Sequence, residues 1–143
     1  MIVVDTSVWV SFFRDPESPI REALSGVIDD DIVLLPHVVR VELISGSGRH
    51  TVAMLERVLG ALELVTPSKD TWMLTETWAK QAAMRGLRFG VGDLLIAATA
   101  AERGAHLWTF DRDFEPMARL KWIRRFSPRV TSHRRQNRAL NVG

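Results

Sequence analysis

The chain of 143 residues contains no cysteine. This absence excludes disulfide bonds, zinc sites built from thiolates and a cysteine nucleophile. No apolar stretch in the sequence approaches the length of roughly 20 residues that a membrane-spanning helix needs. Its N-terminus has no basic segment of the kind that begins a signal peptide. We therefore expect a cytoplasmic protein that has no contact with membranes.

Acidic residues are missing from the C-terminal part of the chain. Residues 1–115 contain all 17 acids and 11 of the 19 lysines and arginines, whereas residues 116–143 contain the other 8 basic residues. Two interpretations of this basic segment remain open: a track for a polyanion, and a solvated or disordered tail. Because the hydrophobic pattern ends near Ser127, we predict one domain over residues 1–126 and a basic tail over residues 127–143.

Short apolar runs alternate with helical patterns along the chain. The predicted strands are residues 2–4, 32–35, 62–65, 106–109 and 122–123. The predicted helices are residues 8–13, 19–28, 36–46, 51–59, 69–85, 93–103 and 113–120. Residues 90–92 read as a flexible approach to the helix at residue 93. This alternation predicts an α/β fold with a parallel sheet that helices cover on both faces.

Four acidic residues stand at the edges of predicted core elements, where a carboxylate loses hydration unless a cation binds it. Asp5 and Asp111 each follow a strand, Asp93 begins a helix, and Glu42 lies about two turns into another. Parallel sheets bind ligands beyond the carboxyl ends of their strands, so all four acids can face one rim. Carboxylates suit Mg²⁺ and Mn²⁺, and we predict a shared cation and metal-dependent chemistry.

Several hydroxyl groups stand next to these acids. Thr6, Ser7 and Thr109 are placed to orient carboxylates or waters. The alternative for Thr6 or Ser7 is a plain N-cap of the first helix. Asp113 is a further candidate ligand, and its alternative role is the N-cap of the short helix that follows.

Four segments carry the acids: Asp5-Thr6-Ser7-Val8-Trp9, Glu42-Leu43-Ile44-Ser45-Gly46, Asp93-Leu94-Leu95-Ile96-Ala97-Ala98-Thr99-Ala100 and Thr109-Phe110-Asp111-Arg112-Asp113-Phe114. In this order they resemble the four motifs of PIN-domain ribonucleases, most closely those of the VapC toxins of bacterial type II toxin–antitoxin pairs. The resemblance covers residues 1–123. No single motif is specific, but the four together are.

The resemblance implies a three-layer α/β/α sandwich with a mostly parallel central sheet. It implies an endoribonuclease that depends on Mg²⁺ or Mn²⁺, with Asp5, Glu42 and Asp93 as the main metal-binding and catalytic acids and Asp111 as the fourth. It also implies an RNA substrate and a homodimer. With a small cognate antitoxin, this homodimer would form a heterotetramer or a larger assembly.

Basic residues near the motifs are candidates for contacts with RNA phosphates. Arg112 lies between two acids, so it is either their electrostatic partner or a phosphate ligand. Arg124 and Arg125 belong to the basic segment.

Two other functions compete with the ribonuclease. One is a PIN-fold module that binds RNA or a partner without catalysis. The other is phosphoryl transfer on Asp5, as in haloacid-dehalogenase-like proteins. Those proteins need a second acid two residues later, where this chain has Ser7.

Overall fold

The structure is a computed structural model that describes residues 1–129. The expected tail, residues 127–143, therefore falls mostly outside the described residues, and the boundary at residue 126 stays a prediction. In chain order the elements are β1 (Ile2–Val4), α1 (Thr6–Arg14), α2 (Pro19–Asp29), β2 (Val33–Pro36), α3 (His37–Ser45), α4 (Val52–Leu59), β3 (Glu63–Val65), α5 (Lys69–Met84), α6 (Val91–Glu102), β4 (His106–Trp108), a 3₁₀ turn (Arg112–Phe114) and α7 (Glu115–Arg119).

The four strands form one parallel sheet in the order β3-β2-β1-β4. Ile2 of β1 lies opposite Val33 on one side and His106 on the other. Every residue of β1 and β2 is buried. Because successive side chains of a strand point to opposite faces, burial of all of them means that both faces are covered. The predicted three-layer α/β/α sandwich is confirmed.

Local signals in the sequence explain where several helices begin and end. Ser18 caps α2 with Pro19 as its first residue, as predicted. Ser68 caps α5 in a reciprocal pair of hydrogen bonds with Thr71. Gly86 and Gly104 follow α5 and α6 with φ angles of 70° and 59°, which glycine adopts at little cost. Among the described residues, no helix is both long and apolar enough to cross a membrane.

Two helices begin earlier than predicted. Asp5 caps α1 by accepting a hydrogen bond from the Ser7 backbone N–H, so Thr6 and Ser7 are not caps and lie inside the helix. Helix α6 begins at Val91, with Gly90 as its cap. Gly92 is therefore part of a helix, and the prediction of a flexible approach to Asp93 is wrong.

The predicted strand at residues 122–123 is also wrong. Lys121 adopts a left-handed conformation after α7, with φ of 61°, and residues 122–123 pair with no strand. The Trp122 ring stacks on Trp78 at 4.9 Å. Within the described residues, the segment after α7 joins the sheet at Arg125, which forms a parallel bridge to Leu107 in β4.

Candidate metal centre

The predicted acids come from four elements around one end of the sheet. Asp5 directly follows β1, and its backbone N–H donates to the Trp108 carbonyl, which continues the pairing of β1 with β4. Asp111 caps the 3₁₀ turn beyond β4. Asp93 lies in the first turn of α6, a helix that packs against β1, β4 and α3. Glu42 lies on α3.

Three of these carboxylates approach one another closely. One oxygen from each of Asp93, Asp111 and Asp113 lies within 4.8 Å of the other two. One interpretation expected Asp113 to cap the short helix that follows, but Asp113 lies inside the 3₁₀ turn and the cap of α7 is Phe114. The turn itself is capped by Asp111, whose Oδ1 accepts a hydrogen bond from the Asp113 backbone N–H at 2.9 Å. The Asp113 carboxylate is thereby left to join the other two.

Asp5 is a buried carboxylate with one saturated oxygen. Its Oδ2 accepts hydrogen bonds from the Ser7 hydroxyl at 2.7 Å and the Thr109 hydroxyl at 2.8 Å. The Ser7 backbone N–H adds a longer bond of 3.4 Å. Among the described residues no hydrogen bond reaches Oδ1, so this oxygen is available to a cation.

The same two hydroxyls join the ends of β1 and β4. The Ser7 hydroxyl oxygen accepts a hydrogen bond from the Phe110 N–H at 3.0 Å. The Thr109 hydroxyl oxygen accepts one from the Asp111 N–H at 2.9 Å. Each hydroxyl therefore accepts a hydrogen bond from a backbone N–H after β4 and donates one to Asp5. The predicted supporting roles of Ser7 and Thr109 agree with these contacts.

Glu42 touches a different helix with each carboxylate oxygen. Oε2 accepts a hydrogen bond from the Thr6 hydroxyl of α1 at 3.0 Å. Oε1 lies against Gly92 of α6, so near that an ideal Cβ on this glycine would be 3.1 Å away. Sequence reasoning missed Gly92. The available signal was a glycine one residue before a metal-binding acid, at the start of a strongly apolar helix.

Electrostatic repulsion connects the five acids. Burial, as the largest cause, and the charges of four neighbouring carboxylates together raise the pKa of Asp93 from its ordinary value of 3.8 to about 6. These neighbours are Asp111, Asp5, Glu42 and Asp113. Burial also raises the pKa of Glu42 and the charge of Asp5 adds to this effect, while the hydrogen bond from Thr6 lowers it. Such a cluster favours a bound cation.

No side-chain cation within residues 1–129 forms an ion pair with the cluster, because the two ion pairs found there are Lys80–Glu76 and Arg103–Glu63. Arg112 is exposed and is not the electrostatic partner of Asp111 or Asp113 that one interpretation expected.

Arg124 donates a hydrogen bond to the Gly104 carbonyl at 2.9 Å, just before the start of β4. Arg125 bridges to the middle of the same strand. The structure thus brings neither Arg124 nor Arg125 to the end of β4 where the acids lie.

The donor set fits a hard divalent cation. It consists of carboxylate oxygens, including the free Oδ1 of Asp5, without cysteine or histidine. Mg²⁺ and Mn²⁺ prefer such ligands and commonly retain waters beside one or two carboxylates.

Comparison with known proteins agrees with this chemistry. The family model described as the PIN domain matches residues 2–120. The chain belongs to the PIN domain family. PIN-domain nucleases generally use a divalent metal, and this PIN domain contains a cluster of acids.

Ribonuclease VapC11 of Mycobacterium tuberculosis (strain ATCC 25618 / H37Rv) is 27% identical to this PIN domain over 125 residues. The match covers 84% of this chain and 93% of VapC11.

Two solved structures share the fold. VapBC from Salmonella typhimurium bound to DNA matches with a TM-score of 0.76 and 23% identity, over 87% of this chain and 96% of the other. VapBC2 from Rickettsia felis, bound to a DNA fragment from its promoter, matches with a TM-score of 0.75 and 21% identity. This match covers 88% of this chain and 98% of the other.

Proposed function

We propose that this PIN domain is the toxin of a toxin–antitoxin pair and a divalent-metal-dependent endoribonuclease that hydrolyses RNA phosphodiester bonds. The observation that carries this proposal is the convergence of five carboxylates without a neutralising side-chain cation. A cluster kept only for stability would be paired with cations, because unpaired carboxylates that are buried, as Asp5 is, or partly buried, as Asp93 and Asp111 are, cost free energy. The similarity to a protein named Ribonuclease VapC11 supports RNA as the substrate.

The chain's own residues divide the work at the centre. Asp93, Asp111 and Asp113 would hold the ion together with Asp5 Oδ1 and Glu42, which makes Asp5, Glu42, Asp93 and Asp111 the catalytic acids. Ser7 and Thr109 fix Asp5, and Thr6 fixes Glu42. Bound Mg²⁺ or Mn²⁺ supplies a Lewis acid that activates water and offsets charge on the phosphate. Arg112, exposed beside Asp111, is placed to contact an RNA phosphate.

Asp93→Asn is the direct test of the catalytic centre. Asp70→Asn is the matched control, because Asp70 is an exposed acid in the first turn of α5. RNA cleavage is measured with Mg²⁺ or Mn²⁺ and with EDTA. We expect EDTA to abolish cleavage, Asp93→Asn to lower it at least about 100-fold, and Asp70→Asn to leave it unchanged.

The alternative function, a module that binds RNA or a partner without catalysis, predicts a different pattern. The unchanged protein would then cut no RNA with either ion and would bind no divalent cation at millimolar concentration. Cleavage that survives both EDTA and Asp93→Asn would mean that the chemistry is performed elsewhere in the chain.

A groove beside the acids suits the antitoxin. It has a volume of about 210 Å³ and is lined by Val10 and Phe13 of α1, Leu43 of α3 and Met54 of α4, with Glu42 at its wall. We propose that an apolar antitoxin segment fills this α1–α3–α4 groove and directs a basic residue to the carboxylates. Its positive charge would take the place of the metal.

The proposed assembly is a homodimer of toxins that forms a heterotetramer or larger complex with antitoxin, in the cytoplasm where RNA is accessible. Co-expression with the small protein encoded next to this gene tests the pairing. We expect the two proteins to co-purify. We also expect the small protein to restore the cell growth that expression of this PIN domain alone arrests. A chain that is harmless when expressed alone would count against the toxin role.

A further inference from the structure

Gly92 is the second residue of α6, immediately before Asp93. An ideal Cβ at this position would lie 3.1 Å from Glu42 Oε1 and 3.8 Å from Val38 Cγ2. The first distance is shorter than an ordinary van der Waals contact between carbon and oxygen. The Glu42 carboxylate therefore occupies the space that a side chain at residue 92 would need.

The backbone does not require a glycine at this position. Gly92 is helical, and its φ angle is outside the left-handed region that Gly86 and Gly104 adopt. Alanine is the better helix former, so helix formation alone would favour Ala over Gly here. Gly26 in α2 and Gly90 before α6 give a comparison, because a Cβ at either would meet nothing within 4 Å.

We propose that Gly92 is a positioning residue for the metal centre: its missing side chain lets the Glu42 carboxylate lie against α6 beside Asp93. This inference rests on the metal site of the proposed function. Thr6 holds the other Glu42 oxygen at 3.0 Å. A methyl group at residue 92 would push Oε1 aside by a few tenths of an ångström, which moves the carboxylate relative to Thr6 and the other acids.

The test compares Gly92→Ala with two matched controls. Gly90→Ala adds the same methyl group two residues away, and Gly26→Ala adds it within a helix that contributes no acid. Mn²⁺ affinity is measured by calorimetry on the metal-free proteins, with circular dichroism to check folding. We expect Gly92→Ala to bind Mn²⁺ about tenfold more weakly or worse, the loss seen when residues that orient metal ligands are changed. Both controls should bind as the unchanged protein does.

A double-mutant cycle with Glu42→Asp identifies the contact responsible. Aspartate is one methylene shorter, so its carboxylate leaves the space that the added methyl group fills. Gly92→Ala should then cost no further Mn²⁺ affinity in the Glu42→Asp background. If the methyl group instead weakens Mn²⁺ binding by disturbing the helix, the same loss of affinity should appear in the Glu42→Asp background.

Four results would overturn the inference. If Gly92→Ala binds Mn²⁺ as tightly as the unchanged protein, Gly92 has no positioning role although the metal site stands. An equal loss in both Glu42 backgrounds, or an equal loss in Gly90→Ala, would assign the effect to the helix start. If the unchanged protein binds no Mn²⁺ at millimolar concentration, the proposed function fails, and the role of Gly92 fails with it.

Discussion

At the scale of single residues, Asp5 shows how this protein keeps a carboxylate that is only 4% exposed. Two hydroxyls and a backbone N–H donate to one of its oxygens, which replaces part of the hydration lost on burial. Thr109 is central because its hydroxyl accepts a hydrogen bond from the Asp111 backbone N–H and donates one to the Asp5 carboxylate.

Thr109→Val keeps the shape of the side chain and removes its hydroxyl. Asp5 loses a donor and the Asp111 N–H loses its acceptor, so we expect the free energy of unfolding to fall by about 1–3 kcal/mol. Thr75→Val is the control. Thr75 is equally buried, but its hydroxyl donates only to the Thr71 carbonyl within α5, and this loss should be smaller. Urea unfolding measures the free energy of unfolding of both variants. Equal losses in Thr109→Val and Thr75→Val would show that the hydrogen bonds around Asp5 add nothing to stability.

The raised pKa of Asp93 predicts how the metal-free protein responds to pH. With an ordinary pKa of 3.8 unfolded and about 6 folded, the folded state binds more protons between these values. The free energy of unfolding should therefore fall as pH rises from about 4 to about 6. Glu42, whose pKa is also raised, acts in the same direction.

Asp93→Asn removes this contribution. Without metal, its melting temperature should exceed that of the unchanged protein by a margin that grows with pH across this window and then stays constant. Thermal unfolding in EDTA from pH 4 to 7.5 measures the margin. A margin independent of pH would contradict the raised pKa of Asp93.

At the scale of elements, the site is assembled from helix starts and strand ends. Asp5 is at once the residue after β1 and the cap of α1, and Asp111 caps the turn after β4. Because α6 starts at Val91, both Gly92 and Asp93 lie in its first turn, where Gly92 meets α3 at Glu42. Small shifts in where helices begin therefore decide which side chains meet.

The groove between α1, α3 and α4 gives a prediction at this scale. Met54 is 44% exposed on α4 and lines the groove, so Met54→Glu should fold normally and place a charge where the antitoxin binds. We expect antitoxin affinity to fall about tenfold or more with RNA cleavage by the free toxin unchanged. Met84→Glu, at an 87% exposed position outside the groove, is the control. Calorimetric titration with antitoxin distinguishes them, and equal affinities of the two variants would mean that the antitoxin binds elsewhere.

At the scale of the whole molecule, charge is separated along the chain and in space. The acids gather beyond the end of β4, whereas Arg124 is attached to Gly104 at the start of that strand. Arg112 is exposed between Asp111 and Asp113 in the chain, so we expect a polyanion that reaches the acids to contact it. The basic segment as a whole extends beyond residue 129, outside the part of the chain that the structure describes.

Arg112→Gln and Arg124→Gln test this separation. A residue that contacts a phosphate lowers the slope of log affinity against log salt by about one when it is removed. We expect that change for Arg112→Gln and none for Arg124→Gln. RNA binding in EDTA, where cleavage is blocked, is measured between low and moderate salt. The reverse pattern would place the RNA along the basic segment.

Most of the fold follows from patterns that depend on neighbouring residues alone. The buried strand Ile2–Val4, the Ser18-Pro19 helix start and the glycines that end α5 and α6 are read correctly because each signal is local. The predicted strand at residues 122–123 fails because Trp122 stacks on Trp78, a contact between residues far apart in sequence. Helix caps fail at Thr6, Ser7 and Asp113 because several neighbouring side chains were able to cap, and the backbone N–H groups of Ser7 and Asp113 donate to Asp5 and Asp111 instead.

The sequence by itself indicated the family and the parallel sheet, and it predicted that the acids share one rim, because strands alternate with helices and the motifs follow this order. The tertiary structure alone decided how those acids are held. Asp5 depends on Thr109 across the sheet, Glu42 on Thr6 and Gly92 from two other helices, and Arg124 is directed away from the acids. Such contacts join residues tens of positions apart, and their distances are set by how the helices pack on the sheet.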